Sequence, residues 1–129
     1  MTDEYWKERL RPNPVEEKYI PKDLNDCFEE LKKMFDDSDL NEFVKDSTER
    51  DMEGQHHYLG RSLRNNWGLW EGSRLKDWFN EKGIHHADDM SGTILTSYWR
   101  HTHNEPIKLE EQIKYYQDFW EEANANKTE

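Results

Sequence analysis

The chain has 129 residues, enough for one domain with a core of its own. A formal charge of −11 leaves no basic footprint for direct nucleic-acid binding, and a single cysteine, Cys27, excludes an internal disulfide framework. Charged residues at 36% and a mean hydropathy of −1.32 point towards disorder, but six Trp, six Tyr and five Phe supply the burial that a folded domain needs.

Residues 1–20 hold Pro12 and Pro14, which favour extended backbone, and they read either as an N-terminal arm docked through Trp6 and Tyr19 or as a mobile tail. A helical domain is expected over 21–122. The first helix spans Pro21 to Phe35, with Leu24, Cys27, Phe28, Leu31, Met34 and Phe35 on one apolar stripe. Ser38 caps a short second helix carrying Leu40, Phe43 and Val44. Thr48 and Asp51 have capping-box spacing and open a third helix, whose stripe of Met52, His56, Leu59 and Leu63 ends near Trp67 and Gly68.

Ser73 caps a fourth helix with Leu75, Trp78 and Phe79, and Gly83 stops it. A fifth begins at Asp88 or Asp89, whose carboxylates suit a helix N-terminus, and buries Met90, Ile94, Leu95 and Tyr98. The last carries Leu109, Ile113, Tyr116 and Trp120 at helical spacing, and 123–129 read as a frayed tail. No segment alternates like a strand. The fold class is all-α, a compact single-domain bundle of five to six short helices with an extended arm. No signal peptide, transmembrane run or lipidation motif is visible, so the expected location is cytoplasmic, with no membrane partner.

The segment from His56 to Trp99 holds four of the six Trp among His, Arg, Asn and paired Asp residues. Its pattern runs His56-x3-Gly60-x3-Arg64-Asn65-x-Trp67-Gly68-Leu69-Trp70, then Ser73 and Leu75, then His86-x-Asp88-Asp89-Met90-Ser91, then Tyr98-Trp99-Arg100. This string resembles a family of small bacterial and phage-associated proteins that carry a domain of unknown function. The resemblance spans roughly residues 20–120 and implies an α-helical domain without an established activity or catalytic residue. Ala87 stands where that pattern has proline, which would leave the start of the fifth helix less rigid.

On a continuous third helix His56, Gly60 and Arg64 share a face. Gly60 costs a helix interior about 1 kcal/mol relative to Ala, which points to close approach of another element, the fifth helix or the loop before it, or of a ligand. Arg64 cannot shed its charge and calls for a carboxylate when buried, with anion or substrate binding as the alternative role. Asp88 and Asp89 are the candidates, and such a bond would orient the 84–91 turn. Ser91 fits the first turn of the fifth helix, its hydroxyl bonding backbone.

Paired carboxylates can do acid–base work when one raises the pKa of the other, but adjacent acids at a helix start serve more often as cap and dipole contact. The pairs His56–His57, His85–His86 and His101-x-His103 invite a metal site. Adjacent histidines on a helix diverge, and HExxH is absent. No metal, cofactor or catalytic residue is assigned. Trp70, beside Asn65 and Asn66 in the turn NNWGLWEGS, is the tryptophan expected at the surface, where Trp and Arg commonly anchor interfaces. Arg100 joins this set as a network or partner-binding residue.

The expected function is that of a small acidic, non-catalytic protein-binding module. Its partner is another protein with a basic surface, reached by electrostatic steering. The resemblance implies an inhibitor or immunity-type role against a bacterial toxin or defence protein. The alternative is a hydrolase-like enzyme using His56, Arg64, Asp88 and His86 around a cleft, with or without a metal. A third reading is a DNA mimic presenting the acids of 16–53. Homo-oligomerisation through an aromatic face is compatible with all three.

Overall fold

The computed structural model describes residues 19–35 and 38–127, with backbone alone at 38–41 and 126–127. The expected arm falls outside the described residues except for its end. There the Tyr19 hydroxyl donates to Asp26, and Arg74 Nε donates to the Ile20 carbonyl at 2.8 Å.

Among the described residues the chain is all-helical, with seven α-helices where five or six were expected. They are α1 (Leu24–Met34), α2 (Ser38–Asp46), α3 (Glu49–Glu53), α4 (Leu59–Asn66), α5 (Arg74–Glu81), α6 (Ala87–Thr102) and α7 (Leu109–Lys127). The extra helix comes from a break in the expected third helix. A 3₁₀ turn, Gly54–His57, interrupts it after α3, and Tyr58 leaves helical geometry at φ −109° and ψ −77°. Gly54 brings no side chain to hold the α-helical turn, and His and Tyr are weak helix formers. His56 therefore does not share one helical face with Gly60 and Arg64.

Other boundaries shift by a few residues. The N-cap of α1 is Asp23, whose carboxylate accepts from Asp26 N at 2.9 Å, so Pro21 precedes the helix. The capping box of α3 forms as its spacing predicts, with Thr48 Oγ1 accepting from Asp51 N at 3.1 Å and Asp51 accepting from Thr48 N at 2.9 Å. Ser73 caps α5 by accepting from Lys76 N at 3.1 Å. Its hydroxyl also donates to the Trp67 carbonyl at 2.8 Å. Gly68 makes this turn possible: it sits at φ +66°, and a Cβ there would stand 2.9 Å from the Gly72 carbonyl oxygen. The backbone of α7 stays helical to Lys127, beyond the point where the sequence suggested fraying.

The core gathers around α6, which packs against each of the other six α-helices among the described residues. Met90, Ile94, Leu95 and Tyr98 of α6 meet Cys27, Phe28, Leu31 and Phe35 of the α1 segment, Leu59 and Leu63 of α4, and Phe79 of α5. Phe35 and Tyr98 stack with centroids 5.7 Å apart. Trp67 is buried, while Trp78 and Trp99 pack against the core from its edge. Cys27 is a buried small hydrophobe, and burial pushes its thiol pKa well up.

A central helix is expected to be apolar all round, yet α6 buries Ser91, Thr93, Thr96 and Ser97. The hydroxyls of Ser91, Thr93 and Ser97 are used within the helix or against neighbours. Ser91 Oγ donates to the Asp88 carbonyl at 3.1 Å, and Thr93 Oγ1 donates to the Asp89 carbonyl at 2.8 Å. Small side chains along α6 let α4 and α7 approach closely, and this approach builds the site.

Candidate functional site

The Arg64 guanidinium lies buried between α4 and α6. Its Nη1 donates to Ser91 Oγ at 2.8 Å, and its Nη2 reaches the His56 carbonyl at 3.4 Å. Its Nε faces Asp88 Oδ1 at 3.3 Å as an ion pair without hydrogen-bond geometry. Burial lowers the Arg64 pKa and the Asp88 charge opposes that shift. Asp88 itself is exposed, so the pair ties the start of α6 to α4 from the rim.

Gly60 is the close approach that its sequence position implied. A Cβ there would lie 3.0 Å from Arg64 Nη1 and 3.6 Å from Ser91 Oγ. The 3₁₀ turn brings His56 back towards this network by its carbonyl rather than its ring.

Asp89 points elsewhere, accepting from Trp120 Nε1 at 2.8 Å. Burial raises the Asp89 pKa, against the Trp120 bond that lowers it. The Trp120 ring lies flat on His86, with centroids 3.8 Å apart and planes at 17°. His86 is the N-cap position of α6, but its side chain makes no capping bond. One turn along, Gly92 faces the Tyr116 hydroxyl, and a Cβ at Gly92 would stand 2.8 Å from it. Burial pushes the Tyr116 phenol up to about 12, so it stays protonated at neutral pH.

Arg100 is a tie of the same kind at the far end of α6. Its Nε and Nη2 donate to Glu49 Oε1 at 3.0 and 2.7 Å, and its Nη1 donates to the Ile107 carbonyl at 2.7 Å. Gln112 of α7 joins there, donating to Ser97 Oγ at 3.0 Å.

Between the α3–3₁₀ segment, α6 and α7 opens a cleft of about 660 Å³. Glu49, Glu53, Asp88, Asp89 and Glu111 line it, with Arg100 and His56 as its basic side chains and Tyr115 and Tyr116 forming the α7 wall. Burial, and then the charge of Arg64, lower the His56 pKa. A second cavity of about 470 Å³ lies on the other side of α7, and Asp89 and Tyr116 belong to both.

Of the residues singled out in the sequence, His56, Asp88, Asp89 and Arg100 meet in the acidic cleft. Arg64, Gly60 and Ser91 form the buried network behind it. His86 belongs to the second cavity. Trp67 is core, and the Asn66 amide donates within its own helix to the Ser62 carbonyl at 2.8 Å. Trp70 is 54% exposed, with the Arg64 guanidinium 6.0 Å from its ring centroid, and Asn65 is exposed nearby in the chain.

The sequence reading gave no site role to Glu49, Glu53, Gly92, Tyr115, Tyr116 or Trp120. The spacing of Tyr116 and Trp120 marked one face of the last helix, and Gly92 lies three residues after Asp89. Together they carried a signal of close helix approach. Among the described residues, no group of three or more His, Cys, Asp or Glu side chains is placed to hold a metal ion, and no helix is long and apolar enough to cross a membrane.

A domain of unknown function, DUF6794, matches residues 20–102. The chain belongs to the DUF6794 family. No curated protein and no solved structure matches it. The DUF6794 match ends at Thr102, which is also the last residue of α6. The DUF6794 domain thus supplies Arg64, Ser91, Asp88, Asp89 and His86, whereas Tyr115, Tyr116 and Trp120 come from α7, outside the matched stretch.

Proposed function

We propose that this DUF6794 protein is a non-catalytic binding module whose acidic, tyrosine-walled cleft takes a basic segment of a partner protein. The observation that carries this reading is the cleft lining. Five carboxylates face a cavity whose one arginine already donates to Glu49 and to the Ile107 carbonyl. Arg100 pairs with Glu49 and Arg64 with Asp88, so a lysine or arginine side chain entering there meets a lining that keeps a net negative charge, beside Tyr115 and Tyr116. The formal charge of −11 adds long-range steering towards such a partner.

An inhibitor or immunity-type role, in a cytoplasmic setting, fits a module that works by contact. The hydrolase-like alternative draws on His56, Asp88 and Asp89 sharing the cleft. It loses weight because Arg64 is turned into the interior and His86 lies under Trp120 in the other cavity.

The test is capture from the native host with the wild type beside a Glu53→Lys/Asp88→Lys variant, eluted by a salt gradient and followed by titration of the captured protein. Expected is a stoichiometric partner that elutes with salt and that the charge-reversed variant does not hold. A partner retained equally by both proteins would remove the cleft from the account. A turnover assay responding to His56→Ala would favour the enzyme.

A further inference from the structure

The helix α7 rests on the DUF6794 domain as a ligand rests in a groove. None of residues 109–125 is fully buried, and Tyr115 and Phe119 are 67% and 53% exposed. Besides the apolar contacts of Leu109 and Ile113, a short set of specific contacts seats the helix. Gln112 donates to Ser97, the Tyr116 hydroxyl fits over Gly92, and Trp120 both stacks on His86 and donates to Asp89. Leu109, Ile113 and Tyr116 pack against the core from its edge, and cavities of about 660 and 470 Å³ flank the helix on its two sides.

The receiving side chains all belong to the matched domain, and the helix they receive does not. The connection 103–108 includes two non-glycine residues in left-handed backbone, Asn104 at φ 58° and Lys108 at φ 52°. Such strain would relax if the linker were released.

We propose that the groove along α6, from His86 through Asp89 and Gly92 to Ser97, is a helix-docking site of the DUF6794 domain. Its ligand is an aromatic helix with the pattern of α7, and α7 holds the site closed in cis. The recognition elements are a tyrosine over the glycine, an indole four residues on that stacks and donates, and an amide one turn before the tyrosine. Gly92 is the specificity element, because any larger residue would occupy the place of the tyrosine hydroxyl. This surface goes beyond the acidic cleft, and occupation by a partner's helix would remove the tyrosine wall of that cleft.

The experiment uses the full chain and a fluorescently labelled peptide of residues 107–127. A Tyr116→Ala/Trp120→Ala chain keeps every groove residue but loses the anchors of its own α7. Its fold is checked by circular dichroism, with Trp120→Ala alone as the milder variant. Fluorescence anisotropy is expected to show the peptide binding this chain roughly tenfold or more tighter than wild type, where the cis helix competes. Adding Gly92→Leu to the same chain should abolish binding. The proposal is overturned if the peptide binds neither chain, or if it binds both equally. It is also overturned if Gly92→Leu leaves binding unchanged. Because the peptide is acidic, none of these outcomes depends on the cleft taking a basic partner.

Discussion

The Arg64 guanidinium donates to Ser91 Oγ at 2.8 Å across 27 residues of sequence, with the Gly60 backbone close above the bond. Three features of one short motif explain one another in this contact. The arginine needs buried acceptors, the serine supplies one and donates its own hydrogen bond to the Asp88 carbonyl, and the glycine leaves the space. The relationship joins α4 to the start of α6 and fixes where Asp88 and Asp89 face.

Arg64→Ala is expected to destabilise the fold by about 1.5–3 kcal/mol, the usual cost of losing charge-assisted hydrogen bonds in a buried site. Asp88 is exposed and can regain water, which keeps the loss below that of a fully buried ion pair. Arg64→Lys should recover only part of it, since an ammonium cannot span Ser91, His56 and Asp88 together. Urea denaturation monitored by circular dichroism measures both variants. Stability equal to wild type in Arg64→Ala would show that the network holds nothing.

Asp89→Asn is expected to stabilise the protein at neutral pH. Burial raises the folded-state pKa of Asp89 above its ordinary value of 3.8. A group shifted upward contributes stability below its unfolded pKa and loses that contribution as pH rises through the folded one. Burial of the charged carboxylate therefore costs the fold stability at neutral pH, and asparagine can still accept from Trp120. Denaturation at pH 7 should favour the variant, and the difference should vanish near pH 3. A variant less stable than wild type at pH 7 would show that the carboxylate charge strengthens the Trp120 bond by more than its burial costs.

Much of this architecture was legible because local rules and tertiary packing agree. The Thr48–Asp51 box, the Ser73 cap and the stripe from Leu24 to Phe35 each need only a few neighbouring residues. The expected third helix failed at Gly54–His57, where an apolar stripe spanning Met52 to Leu63 concealed a change of helical pitch. Periodicity reports which residues are buried, and a 3₁₀ turn can bury the flanking ones equally well. The tie of Arg64 to Asp88 followed from charge and position, but the sequence left open which of two adjacent acids it meets. Trp120 draws Asp89 away, and that contact spans 31 residues with no local signature.

His56 makes the fold sensitive to mild acid. Burial and the neighbouring Arg64 charge lower its folded-state pKa below 6.5. A histidine shifted downward contributes stability above its unfolded pKa, and that contribution is lost as pH falls through the folded one. Wild type should therefore lose more stability between pH 7 and pH 5 than His56→Gln does. Thermal melts across that range decide it, and parallel curves would assign the acid sensitivity to other groups.

Gly68→Ala tests the turn that exposes Trp70. At φ +66° an L-residue costs roughly 1–2 kcal/mol from its backbone alone. The added Cβ would also lie 2.9 Å from the Gly72 carbonyl oxygen and 2.9 Å from Ser73 Cβ, so the turn must open to admit it. Opening it pulls Ser73 from the Trp67 carbonyl and weakens the cap of α5. The expected result is a loss above the backbone cost, with hydrogen exchange quickening first in α5. Trp70→Ala in the same loop removes an exposed ring and should leave stability within about 0.5 kcal/mol of wild type. A Gly68→Ala protein as stable as wild type would mean that the turn is held by its ends rather than by its glycine.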